Sequence, residues 1–135
     1  MNDEQSKRLA EAADALIQAG DALDEARETI NDRRFDGDVE RERVAAAQQM
    51  SSKIENAAKK VDEAIRKGTV AAAACGRAGA HALYREALWA AREGRALGRT
   101  ANDQDGSANK RARATESVAK LEAAIAVAAR IVFVE

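Results

Sequence analysis

No proline occurs anywhere in the 135 residues. Average usage near 5% would place about seven in a chain of this length. A helix interior is the setting that proline disrupts most, at about 3 kcal/mol, so its absence predicts that nearly every residue sits in a helix. Alanine, the strongest helix former, fills 34 positions, while aromatic residues make up only 3%. A core assembled from such residues is thin, and its helices must come close together.

The hydrophobic rows fit that expectation. Asn2 and Gln5 have the spacing of a capping box. Leu9, Leu16, Leu23 and Ile30 then repeat every seven residues, with Ala12, Ala19 and Ala26 three further on. This is a two-row seam, opposite the solvated row Lys7, Asp14, Asp21 and Glu28. The predicted helix spans 3–34 and ends at Phe35-Asp36-Gly37. A second, over 39–67, is capped by Asp38 and carries Ala47, Ile54 and Val61 beside Met50, Ala57 and Ala64. Gly68 is expected to stop it, with Thr69 capping the next. A third helix is predicted over 70–100 and a fourth over 108–133, whose seam is Ala114, Val118, Leu121, Ile125, Ala128 and Val132. The closing IVFVE is expected to stay helical. Short connections imply a single all-α domain, an up-down-up-down antiparallel four-helix bundle.

The third segment is unusual because its inward stripe, Ala73, Gly76, Ala80, Leu83, Ala87, Ala90, Gly94 and Leu97, is made mostly of small residues. Either another helix approaches closely or something other than protein occupies the space. Gly20, Gly76, Gly79, Gly94 and Gly98 are read as helix-interior glycines. Each costs about 0.5–1 kcal/mol against alanine there and so needs a reason.

The seven-residue repeat, the Asp36-Gly37-Asp38 and Lys67-Gly68-Thr69 turns and the lack of proline resemble de novo designed single-chain four-helix bundles. Many of those were built to hold a drug, a porphyrin or a metal pair at the centre. The resemblance implies a central ligand site here too.

Polar residues invade the seams at one end, where Arg27, Arg43 and Arg111 are expected together. Helix one would supply Leu23, Ala26 and Arg27 to a ligand site; helix two Ala47, Met50 and Ser51; helix three Leu83, Ala87, Ala90 and Gly94; helix four Ala114, Val118 and Leu121. The occupant would be a flat, partly polar small organic molecule. The competing reading is a structural or interaction bundle in which the small residues only let helices touch.

Other chemistries find less in the chain. A net charge of −1 with interspersed signs predicts no nucleic-acid or membrane surface. One histidine, His81, is too few for a di-iron bundle, and no metal or cofactor is expected. Haem ligated by His81 is the alternative, though the stripe places that residue outside the core. Gly76-Arg77-Ala78-Gly79 matches a nucleic-acid-clamping GxxG but falls within the predicted helix, and Gly94 to Gly98 spells GxxxG. Ser51, Ser52 and Cys75 have no histidine at helical spacing, so no enzyme is expected. The acidic N-terminus and the lack of a long apolar run predict a soluble protein, cytoplasmic or recombinant. A monomer is expected, with Trp89 marking the face on which a dimer would form.

Overall fold

The computed structural model describes residues 1–133; Val134 and Glu135, the end of the expected helical IVFVE, lie outside them. Helix α1 spans Asp3–Ile30, α2 Glu40–Ala74, α3 Ala80–Arg99 and α4 Ser107–Phe133, with 3-10 turns at Arg33–Asp36 and Ala101–Asp103. No strand occurs among the described residues. The capping box forms as expected: the Gln5 amide donates to Asn2 Oδ1 at 2.8 Å and the Asn2 amide to Gln5 Oε1 at 3.0 Å.

The helices form the antiparallel bundle that the periodicity implies. Sequence neighbours pack side by side, and α1 closes the ring against α4. The cross-section is skewed, because α2 and α4, which run parallel, also meet across one diagonal. Helices α1 and α3 therefore lie on opposite sides of that pair. The core is largely alanine, filled out by Leu23, Met50, Ile54, Val61, Ile65, Leu121, Ile131 and Val132, all nearly fully buried.

Three boundaries differ from the sequence reading. Helix α1 ends at Ile30, not Arg34, because the chain tightens into a 3-10 turn that buries Phe35. Val39 rather than Asp38 stands at the start of α2, with no side-chain cap. The largest correction concerns Gly68 and Thr69, which lie inside α2. Gly68 faces α4, where an added Cβ would sit 3.1 Å from Val132 Cγ2, and the Thr69 hydroxyl bonds back to the Ile65 carbonyl at 2.8 Å. The expected continuous helix over 70–100 is accordingly broken. Its first five residues complete α2, residues 75–79 form a turn, and α3 begins only at Ala80.

Candidate functional site

Helix α3 buries Ala87, Ala91, Gly94 and Gly98, a seam rotated slightly from the predicted stripe. Leu83 and Ala90 flank it half-buried; Ala73 is exposed, and Gly76 belongs to the turn. The seam is small because neighbouring helices press on it. A Cβ on Gly94 would lie 2.9 Å from Leu121 Cγ and 3.0 Å from the Ser117 carbonyl oxygen. One on Gly98 would lie 2.5 Å from Ile54 Cγ2 and 2.8 Å from Ser117 Oγ. Ser117 is fully buried and donates its hydroxyl hydrogen to the Gly94 carbonyl at 2.5 Å. The space left by the missing side chains is occupied by α2 and α4.

Most of the residues expected around a central ligand pack directly into one hydrophobic core. Leu23, Ala26, Met50, Ala87, Ala114 and Leu121 are core residues with at most 1% exposure. Val118 and Arg27 border a surface depression of about 270 Å³ between α1 and α4. Ala47 borders a separate groove, and Ser51 is half-buried below it.

Arg27, Arg43 and Arg111 do gather at one end, but each binds the protein itself. Arg27 pairs with Asp24 at 2.7 Å and with Glu122 on α4. Arg43 donates to the Gly37 carbonyl at 2.7 Å. Arg111 donates from Nε to the Ile30 carbonyl at 3.0 Å and from a terminal nitrogen to the Asp32 carbonyl at 2.8 Å. It also pairs with Asp36 at 2.8 Å and lies over the Phe35 ring, 5.1 Å from its centre. This guanidinium satisfies carbonyls left open at the end of α1, and its hydrogen bonds hold the Asp36 carboxyl below its ordinary range.

Helix α3 is 20 residues long and α2 is 35, about 30 Å against about 52 Å. The first turns of α2 thus extend past the end of α3, and the second 3-10 turn covers them only in part. Asn102 in that turn donates to the Ala47 carbonyl at 3.1 Å and to Ser51 Oγ at 2.7 Å, while its own Oδ1 is buried without a hydrogen bond. The uncovered part is a groove of about 430 Å³, lined by Phe35, Val44, Ala47 and Asn102 with Arg43 and Lys110 on its walls. The Lys110 ammonium bonds the Asn102 carbonyl at 2.5 Å.

Compared with protein-family models, curated proteins and solved structures, the chain gives no match.

A second polar centre joins α2 to α3. Arg95 reaches Glu55 at 2.5 Å and Asp62 at 2.9 Å, and Arg99 also reaches Glu55. The Arg95 hydrogen bond holds the Glu55 carboxyl below its ordinary range. Asp62 goes the other way, since burial raises its carboxyl despite the nearby arginine.

Among the described residues no group of three or more His, Cys, Asp or Glu is placed to hold a metal, and no helix is long and apolar enough to cross a membrane. His81 is exposed at the start of α3, its ring centre 6.5 Å from that of Tyr84. Trp89 faces outward at 67% exposure. Gly76-Arg77-Ala78-Gly79 lies in the turn rather than inside a helix, which removes the reason for setting the GxxG reading aside. The Arg77 guanidinium bonds the Ile131 carbonyl at 3.1 Å, so this segment docks on the end of α4.

Sequence reasoning missed Phe35, Asn102, Lys110 and Ser117. Phe35 stands in a segment whose sequence signals only a helix end, Asn102 falls between the predicted third and fourth helices, and Lys110 and Ser117 carry no signal in residue spacing.

Proposed function

We propose that this chain is a structural or interaction bundle whose small-residue seam serves direct helix contact, with no ligand held between the helices. The observation that carries this reading is the 2.5 Å that would separate a Gly98 Cβ from Ile54 Cγ2. The three arginines support it, because each ties a helix end or a neighbouring helix rather than facing an interior space.

A decisive experiment titrates flat aromatic probes, protoporphyrin IX and riboflavin, into isotope-labelled protein while amide shifts are followed. No saturable shifts are expected at Gly94, Ser117 or Leu121. Saturable shifts centred on those residues would restore the central-site reading, and Ala87→Leu should then stabilise the free protein instead of overpacking it.

One observation favours a second reading, in which a small organic molecule is held at the bundle end. The 430 Å³ groove lies beside the predicted Ala47 and Arg43 and combines an apolar floor with hydrogen-bonding walls. Saturable shifts confined to Val44, Ala47 and Asn102, abolished by Val44→Trp, would establish it.

A further inference from the structure

The turn at residues 75–79 interrupts a sequence that otherwise favours helix. Ala71–Ala74 precede it, Ala78 lies within it, and Ala80 follows it. Only the two glycines adopt left-handed backbone, Gly76 at φ +64° and Gly79 at φ +78°. An added Cβ on either would meet nothing within 4 Å, so neither glycine is there to admit a neighbour. Their role is to end one helix and begin the next. The Gly76 amide bonds the Ala73 carbonyl and the Arg77 amide the Ala72 carbonyl, both at 3.1 Å, which is a Schellman closure. Outside the turn, Arg77 to Ile131 and Gln5 to the Ala74 carbonyl, at 3.0 Å, hold it against the ends of α4 and α1.

The turn also divides the bundle into two hairpins. Helix α1 packs most extensively on α2, and α3 on α4. Every contact between the hairpins, including the Arg95 ion pairs and the Ile54 to Gly98 approach, is one that a second copy of the chain can supply without change. If the turn straightens, α2 and α3 become one helix from residue 40 to residue 99, about 90 Å long. Two such rods lying antiparallel place α2 of one copy beside α3 of the other in the orientation found within a single chain. At the middle of the pair the two copies of residues 71–80 come together, and all of these but Cys75 and Arg77 are alanine or glycine, which permits close approach.

We propose that residues 75–79 are a hinge and that the partner it admits is a second copy of this chain, with the α3–α4 pair exchanged between the two. This goes beyond the structural reading above and does not require the groove to be occupied. The exchange reuses the existing interface and gives up only the turn, which makes it a low-cost route to a dimer.

The test refolds the wild-type protein from denaturant at high and at low concentration and sediments the products. A dimer is expected that grows with the refolding concentration and persists on dilution; its absence overturns the proposal. Exchange is then distinguished from face-to-face association by a disulfide between Ile54→Cys and Gly98→Cys, with Cys75→Ala to prevent mispairing and Ser117→Ala to make room. The Cβ separation there is 3.7 Å, within the disulfide range. In the dimer the bond should link two chains on a non-reducing gel, and in the monomer it should stay within one. A dimer whose bonds all remain within single chains, as an association through Trp89 would give, overturns the proposal. Gly76→Ala with Gly79→Ala should raise the dimer-to-monomer ratio about tenfold or more, since both changes favour helix. Ala78→Pro, which cannot join a helix interior, should abolish the dimer. An unchanged ratio in either case also counts against the hinge.

Discussion

Ile54 on α2 and Gly98 on α3 meet where there is room for no further carbon: a Cβ on the glycine would stand 3.7 Å from Ile54 Cβ and 2.5 Å from its Cγ2. Gly20, by contrast, lies inside α1 with nothing within 4 Å of the same hypothetical atom. One substitution should therefore have opposite signs at the two positions. Gly98→Ala should destabilise the protein by about 1–3 kcal/mol through overpacking, and Gly20→Ala should stabilise it by about 0.5–1 kcal/mol. Chemical denaturation midpoints measured side by side would check both.

Arg111 joins the end of α1, the first 3-10 turn and α4 through one guanidinium. Arg111→Ala should cost about 2–3 kcal/mol, from charged hydrogen bonds to backbone carbonyls and the lost stacking on Phe35. Arg111→Lys should recover only part of this, because an ammonium cannot reproduce the planar fork. Urea unfolding of the two variants, with amide shifts at Phe35 as the local probe, gives the comparison.

Glu55 and Asp62 share Arg95 but should respond differently to loss of charge. The Glu55 carboxyl is held down by its hydrogen bond from Arg95, so its stabilisation is present above the ordinary carboxylate range and is lost as pH falls through its lowered value. The Asp62 carboxyl is raised by burial, so its contribution favours the folded state at acid pH and is lost as pH rises through the raised value. At pH 7, Glu55→Gln should lower stability by about 0.5–1 kcal/mol, given its partial exposure. Asp62→Asn should leave stability unchanged or slightly higher. Thermal unfolding between pH 3 and pH 8 should show a shallower acid loss for Glu55→Gln.

Asn102→Asp should destabilise the bundle by about 2–3 kcal/mol. The change removes the amide that donates to the Ala47 carbonyl and Ser51 and sets a carboxylate against that carbonyl. Loss of protection at the first turns of α2, read by hydrogen exchange, should accompany the fall in midpoint.

Much of the fold was legible because α1 and α4 carry unbroken rows of larger residues. Leu16, Leu23 and Ile30 are buried as their spacing requires, and so are Val118, Leu121 and Val132. Glycine was the source of the errors. Gly68 reads as a helix stop but serves close approach to Val132; Gly76 and Gly79 read as helix-interior residues but form the turn. A lone sequence does not distinguish a glycine chosen for its backbone from one chosen for its missing side chain, since that depends on what another helix places opposite. The same ambiguity governed the site. The small residues of α3 signalled either a cavity or a contact, and only the positions of Ile54, Ser117 and Leu121 separate the two. The gathering of Arg27, Arg43 and Arg111 at one end was read correctly, but their acceptors, mostly main-chain carbonyls and carboxylates on other elements, have no signature in residue spacing.

The diagonal meeting of α2 and α4 gives the bundle a spine. Amide protons near Ile54–Ile65 and Val118–Ala128 lie on helices enclosed by two flanking neighbours and by each other, so their release to solvent requires the whole molecule to come apart. Helices α1 and α3, on opposite flanks of that spine, have one face open to solvent along their length and should be the first to open locally. Heat or denaturant should thus strip this protein from its two sides inward, and isotope exchange would record that order as two tiers of protection.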